Sequence, residues 1–144
     1  MTIHTRVILL VTALVVVGCG NGTPETEAVT GRWYAAVHVE EGAELFQIHC
    51  ASCHGSQAEG MTEWRTPDAN GNYPPPPLNG SAHAWHHPKT VLLQTIAQGG
   101  VPLGGVMPGF AEILTEEEAL STIAFFQSQW PDETYARWLE IDRR

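Results

Sequence analysis

The sequence predicts a small all-α fold of three or four helices, and three observations carry that prediction. Three stretches of the chain combine apolar residues at helical spacing with start or stop signals for a helix. The segments between them, mainly residues 55–80 and 101–110, are rich in glycine and proline and are typical of loops. A paired-cysteine motif at residues 50–54 directly follows the first helical stretch, and its chemistry indicates what the helices surround.

The motif places Cys50 three residues before Cys53 and ends on His54, which is the Cys-x-x-Cys-His signature for attachment of haem c. Each thiol can form a thioether to one haem vinyl group, and His54 can then supply an imidazole ligand to the iron. A thioredoxin-like redox pair would need a βαβ context, which the helix and loop on either side do not provide. A zinc site would need a second pair of ligands, and the third cysteine, Cys19, has another explanation. The sequence therefore predicts three or four helices around one covalently attached haem c.

Length and composition set the scale at one small domain with appendages, since the chain has 144 residues. It carries 7 basic and 16 acidic side chains, a formal charge of −9, which argues against nucleic acid as a partner. With 14 glycines, 10 prolines and 43% hydrophobic residues, the chain has a modest apolar core of its own. We expect a buried haem to supply much of the missing apolar surface.

Residues 1–18 are typical of a secretory signal peptide of the lipoprotein type. The apolar run Val7–Val17, eleven residues interrupted only by Thr12, suits a secretory h-region and is shorter than the about 20 residues of a membrane span. It ends in Val-Val-Gly-Cys at Cys19, which resembles the cleavage box of bacterial lipoproteins. By that resemblance, the mature chain begins at Cys19, which carries the lipid; the alternative is ordinary secretion with a free thiol. In both cases we expect export, to the periplasm or the outer face of a bacterial membrane.

The remaining chain divides into three parts. Residues 19–38 are small and polar and predict a flexible tether, in which Trp33 and Tyr34 either pack onto the domain or stay partly exposed. Residues 39–131 form the globular domain. Residues 132–144 are a charged C-terminal extension.

The first predicted helix is Glu40–His49, whose acidic start suits the positive end of the helix dipole. Gly42 and Phe46 are four residues apart and therefore share a face. A glycine inside a helix costs about 1 kcal/mol relative to alanine, so we expect Gly42 to serve a close packing contact.

Three features around the motif resemble the class I c-type cytochromes. Residues 42–46, Gly-Ala-Glu-Leu-Phe, precede the cysteine pair; residues 76–80, Pro-Pro-Leu-Asn-Gly, follow it; and Met107 is followed by a proline shortly before the last helix. The resemblance covers about residues 40–130 and implies the small cytochrome c fold for the predicted domain at 39–131. It also implies that Gly42 permits a close crossing with the C-terminal helix.

The same resemblance implies roles for residues beside the haem. The carbonyl of Pro76 would accept a hydrogen bond from the second ring nitrogen of His54 and so fix its tautomer. Leu78 would press on the porphyrin face. On the last helix, Phe125 would meet the first helix and Phe126 would face the haem.

His83, His86 and His87 lie just before Pro88, where a further helix is expected to begin and then to end at residues 99–100, two glycines. Three histidines raise the hypothesis of a copper or zinc site. No acidic residue or cysteine lies beside them to complete it. The favoured interpretation is that they are loop residues, one or two of them bonded to a haem propionate.

Met107 is the candidate for the second axial ligand of the iron. A thioether favours ferrous iron, and a Met/His pair raises the reduction potential. A lone methionine usually fills core space, but the resemblance places the family's ligand in such a Met-Pro loop. The competitor, Met61, is only seven residues beyond His54 and would have to cross to the opposite face of the ring.

The last predicted helix starts at Thr115, which with Glu118 forms a capping box, and runs to about Trp130, before Pro131. Beyond it, residues 132–144 have apolar spacing for an amphipathic turn or two, which are either docked or partner-binding.

The predicted function is one-electron transfer by a His/Met-ligated haem c, lipid-anchored outside the cytoplasm, alone or as a cytochrome subunit of a respiratory complex. The predicted partners are redox proteins and, through the anchor, a membrane. No base and nucleophile suggest a substrate pocket, so the sequence predicts a carrier and not an enzyme. The alternatives are a small-ligand sensor or peroxidase-like enzyme with an open sixth iron position, and metal delivery through the histidine cluster.

Overall fold

A computed structural model describes residues 29, 31–101 and 105–144 of the chain. Five α-helices follow one another: α1 (Ala36–His49), α2 (Ala51–His54), α3 (Lys89–Gln98), α4 (Glu116–Ser128) and α5 (Asp132–Asp142). A 3₁₀ turn, Ala84–His86, precedes α3. No β-strand occurs in these ranges, so the predicted all-α fold is confirmed. The signal peptide, Cys19 and most of the predicted tether lie outside the described residues.

The core forms where α1 crosses α4. A Cβ atom at Gly42 would collide with the backbone carbonyl of Ser121, so the missing side chain lets the two helices touch. The rings of Phe46 and Phe125 follow at a centroid distance of 5.0 Å. At the same crossing, Ser121 Oγ donates a hydrogen bond to a carboxylate oxygen of Glu41 at 2.6 Å. The close crossing that the resemblance implied is therefore present.

The first helix begins four residues before the predicted start at Glu40. The α1 helix starts at Ala36, where the His38 ring accepts a hydrogen bond from the Ala35 N–H at 3.1 Å. Tyr34 is only 2% exposed, and the indole N–H of Trp33 donates to Gln127 Oε1 at 2.7 Å. Of the two alternatives for these aromatic side chains, the structure shows packing onto the domain, with Tyr34 buried and Trp33 half-buried.

The α4 helix begins as the sequence predicts. Thr115 Oγ1 accepts from the Glu118 N–H at 3.2 Å, and the Glu118 carboxylate accepts from the Thr115 N–H at 2.8 Å. The helix ends at Ser128, and Pro131 directly precedes α5.

The C-terminal extension is a docked helix of 11 residues, longer than the turn or two that its pattern predicted. Trp138 is fully buried, and its indole N–H donates to the His87 carbonyl at 2.9 Å. Asp142 accepts from the Lys89 N–H at 2.6 Å and so caps the start of α3. Among the described helices, none is both long and apolar enough to cross a bilayer.

Candidate functional site

The cysteine motif folds as the single turn α2, which follows α1 after only one residue. The Cys50 N–H continues the α1 pattern by donating to the Phe46 carbonyl at 2.9 Å, and the His54 N–H donates to the Cys50 carbonyl at 2.9 Å. Cys53 is exposed and Cys50 is half-buried. Burial, with Cys53 as the second cause, raises the pKa of the Cys50 thiol to about 11. The two thiols thus stand one turn apart on a helix fixed to the core.

His54 is held in one tautomer by the proline-rich loop. Its Nδ1 lies 2.9 Å from the carbonyl oxygen of Pro76. Because a carbonyl can only accept, Nδ1 carries the proton and Nε2 keeps its lone pair. The side chain is 8% exposed, and burial lowers the pKa of the imidazole, against a smaller opposing effect of the Pro76 bond. A neutral imidazole with a free Nε2 is the form that binds a metal.

The loop that carries Pro76 is fastened to the residues just after the motif. The Gly60 N–H donates to the His54 carbonyl at 2.7 Å, and the Met61 N–H donates to the Pro75 carbonyl at 2.9 Å. Gly60 has a φ of +61°, and a Cβ there would collide with the backbone of Pro76 and Pro77. A glycine is therefore required for this close approach.

Leu78 lies two residues beyond Pro76 and is half-buried against the core. Its N–H donates to the Ala58 carbonyl at 2.7 Å, and its carbonyl accepts from the indole N–H of Trp130 at 2.7 Å. Phe126 of α4 is 3% exposed, and its ring lies 6.1 Å from the ring of Trp130, which follows the helix.

Met107 sits in a loop that is hydrogen-bonded to the end of α3. The Gly100 N–H donates to the Met107 carbonyl at 2.9 Å, and the Phe110 N–H donates to the Ile96 carbonyl at 2.9 Å. The Met107 side chain is half-buried against the core, whereas Met61 is 52% exposed. Of these two methionines, Met107 is the one whose side chain packs against the apolar core.

Two histidines of the predicted cluster, His83 and His87, lie side by side, whereas His86 packs against a tryptophan. The His83 ring stacks on Trp64 at 5.1 Å and lies 5.6 Å from the His87 ring, while the His86 ring lies 3.8 Å from Trp85. No group of three or more His, Cys, Asp or Glu residues suited to a metal ion occurs in the described part of the chain.

Sequence reasoning missed two tryptophans that hold the loops of the site, Trp130 and Trp138. Each donates its indole N–H to a loop carbonyl more than 50 residues away, at Leu78 and His87. A tryptophan directly before Pro131 was a visible signal, because a buried indole N–H needs an acceptor. The sequence does not identify that acceptor.

The donor set fits the haem c that the motif predicts. Two thiols stand one turn apart, and the adjacent imidazole presents an unprotonated Nε2. A thioether lies in a second fixed loop, beside half-buried apolar side chains. Residues in place could thus supply two thiols for attachment, an imidazole nitrogen for the iron and an apolar environment.

Comparisons with known proteins agree with this assignment. The family model described as Cytochrome c matches residues 39–130. Two relatives are both named Cbb3-type cytochrome c oxidase subunit FixP. The one from Sinorhizobium medicae (strain WSM419) is 33% identical over 96 residues, 62% of this chain and 29% of the relative. The one from Rhizobium meliloti (strain 1021) is 32% identical over 96 residues, with the same shares covered. The chain thus spans less than a third of the length of these curated relatives, and no solved structure matches it significantly.

Proposed function

The chain belongs to the cytochrome c family, and from that premise we propose that it is a one-electron carrier with an iron held between His54 and Met107. Family membership implies covalently bound haem c, and one haem fits the single domain. Cys50 and Cys53 would form its thioethers. Two filled axial positions make the protein a carrier and not an enzyme by itself, because the iron then has no site for substrate.

The observation that carries this proposal is the hydrogen bond from His54 Nδ1 to the Pro76 carbonyl at 2.9 Å. In the neutral imidazole this bond leaves Nε2 unprotonated, and it fixes the orientation of the ring. A carbonyl that accepts a hydrogen bond from the non-ligating ring nitrogen of a metal-bound histidine also raises the basicity of the imidazole.

When bound, the haem would supply the one-electron redox chemistry. The residues of the chain do the rest. The thiols fix the position of the cofactor, the Pro76 carbonyl orients His54, and Leu78 and Phe126 would exclude water from the ring. The Met107 thioether would favour the ferrous state and so raise the reduction potential.

We also propose that the protein works outside the cytoplasm, held to a membrane by lipid on Cys19. The support is the signal-peptide pattern of residues 1–18 and the need to attach haem c to an exported chain. Its partners would be redox proteins, and it would act as a free carrier or as a cytochrome subunit of a respiratory complex. The two relatives are named as subunits of a cbb3-type oxidase, which favours a partner of that kind.

The test is optical spectroscopy of protein made in a host that attaches haem c. With Met107 bound, the oxidised protein is expected to show a weak sulfur-to-iron band in the far red, and the reduced protein is expected to bind carbon monoxide poorly. Met107→Ala should remove the band, open the iron to carbon monoxide and lower the reduction potential, because the thioether that favours ferrous iron is gone.

The matched control is Met61→Ala, which removes a thioether that is 52% exposed and should change none of these properties. A wild-type protein that binds carbon monoxide readily, with no change on Met107→Ala, would contradict the carrier. The sixth position would then be open, as a sensor or a peroxidase-like enzyme requires.

A further inference from the structure

Trp130, two residues beyond the end of α4, reaches the loop that holds the histidine ligand. Trp130 is 3% exposed, and its indole N–H donates to the Leu78 carbonyl at 2.7 Å. Leu78 is two residues beyond Pro76, whose carbonyl accepts from His54 Nδ1. A short covalent path therefore joins the bond made by the indole to the bond made by the imidazole.

The peptide at Leu78 is held from two sides. On one side the Ala58 carbonyl accepts from the Leu78 N–H at 2.7 Å and from the Asn79 N–H at 3.2 Å. On the other side the Trp130 indole holds the carbonyl. Gly80, at φ +90°, brings the chain so close to the indole that a Cβ there would lie 3.0 Å from Trp130 Cδ1. The backbone of the loop thus packs directly against the Trp130 side chain.

Trp130 is itself fixed by segments beyond the part of the chain that the family model matches. The Trp138 ring of α5 packs against it edge-on at 6.0 Å. Arg32 donates to the Trp130 carbonyl at 3.4 Å, forms an ion pair with Asp132 at 2.7 Å, and lies over the Tyr135 ring at 3.9 Å. Residues 32 and 132–138 lie outside the matched region of 39–130.

We propose that Trp130 is a positioning residue for the His54 ligand, acting through the Leu78 carbonyl, and that α5 holds the indole in place. The C-terminal helix thereby helps to set the reduction potential of the centre. The inference rests on the proposed function, because it takes His54 as the axial ligand. The Pro76 hydrogen bond determines in which direction the reduction potential should change when Trp130 is replaced. A weaker bond makes the imidazole less basic, and a less basic ligand stabilises the ferric iron less.

The test variant is Trp130→Phe, which removes the N–H donor and keeps an aromatic ring. We expect the potential to rise, so that the equilibrium constant for reduction by a fixed mediator increases about three- to tenfold. We expect a modest change because Trp130 acts through Leu78, whereas removal of a direct outer-shell partner typically costs about 10–100-fold in metal affinity or activity. In nuclear magnetic resonance spectra of the ferrous protein, the His54 Nδ1 proton should exchange faster with solvent.

The matched control is Trp33→Phe, which removes another indole hydrogen bond of 2.7 Å, made to Gln127 Oε1 away from the loop. It should lower the stability while the potential and the His54 proton stay as in the wild type. Equal potentials and equal Nδ1 exchange in wild type, Trp130→Phe and Trp33→Phe would overturn the inference.

If Trp130→Phe does not retain a folded haem domain, Trp138→Leu decides. This change removes the ring packed on Trp130 and leaves the Trp130 donor in place, so a smaller shift in the same direction is expected, and an unchanged potential would overturn the inference. Failure of the proposed function looks different: the wild type itself would then lack the spectrum of an iron bound by histidine and methionine.

Discussion

At the scale of single residues, the packing of α1 on α4 depends on a side chain that is missing. Gly42 is buried in the middle of α1, where glycine is an unfavourable helix residue. The carbonyl of Ser121 and the N–H of Thr122 occupy the space that a Cβ would need. Because those atoms belong to the backbone of α4, they cannot move aside as the end of a side chain can.

We therefore expect Gly42→Ala to destabilise the protein, although alanine is the better helix former. The helices must separate to admit the methyl group, at a cost of roughly 1–3 kcal/mol in the free energy of unfolding. Urea unfolding followed by circular dichroism measures this. Glu44→Ala, an exposed change on the same helix, should stay within about 0.5 kcal/mol of the wild type. Equal or greater stability of Gly42→Ala would refute the close contact.

At the scale of elements, the easiest helix limits to predict were those set by residues adjacent in sequence. The capping box of α4 and the limits of α3 at Pro88 and Gly99 depend on residues adjacent in sequence. The start of α1 and the length of α5 depend on tertiary burial, of Tyr34 in one case and Trp138 in the other. Sequence patterns within one segment do not show which side chains distant segments bury, so α1 and α5 are both longer than predicted.

The functional site likewise combines a local motif, which the sequence predicts, with distant contacts, which it does not. The Cys-x-x-Cys-His turn is a local motif, and its resemblance to a known family supplied the His54–Pro76 bond. The bond from Trp130 to Leu78 joins residues 52 apart, and nothing in either segment specifies the other. The distant contacts that support the loops therefore had to come from the structure.

The capping box of α4 predicts how stability responds to pH. Hydrogen bonds from the backbone N–H and the hydroxyl of Thr115 lower the pKa of the Glu118 carboxyl below its usual value of 4.5. A carboxyl whose pKa is lower in the folded state stabilises the fold above the unfolded-state pKa, and that contribution is lost as the pH falls through the folded-state value. The stabilisation by Glu118 should thus be complete at pH 7 and absent in strong acid.

The variant Glu118→Gln keeps an oxygen that can accept the same bonds but carries no charge. Urea unfolding should show it to be less stable than the wild type at pH 7, with the difference shrinking as the pH falls through and below about 4. Glu117→Gln, in the same turn but without the bonds to Thr115, should show a smaller difference. If the difference in unfolding free energy between Glu118→Gln and the wild type stays constant over this range, the charge has no such role.

At the scale of the whole molecule, acidic side chains outnumber basic ones. The chain has a formal charge of −9, and α4 begins with the three acidic residues 116–118. Among the described residues, two of the cations form ion pairs with acidic residues of α5, Arg32 with Asp132 and Arg137 with Glu133. A negative molecule attracts positively charged partners at long range, and salt weakens that attraction.

The charge predicts how the rate of electron transfer depends on salt. A cationic oxidant such as tris(phenanthroline)cobalt(III) should react with the reduced protein faster at low salt, and the anion ferricyanide should react more slowly there. The two effects should fade as the Debye length falls from about 30 Å at 0.01 M to about 8 Å at 0.15 M ionic strength. Stopped-flow oxidation of the haem, followed by its absorbance, measures both rates. If the two oxidants respond to salt alike, the acidic residues lie too far from the haem edge to steer a partner, and a basic docking face on the partner is no longer expected.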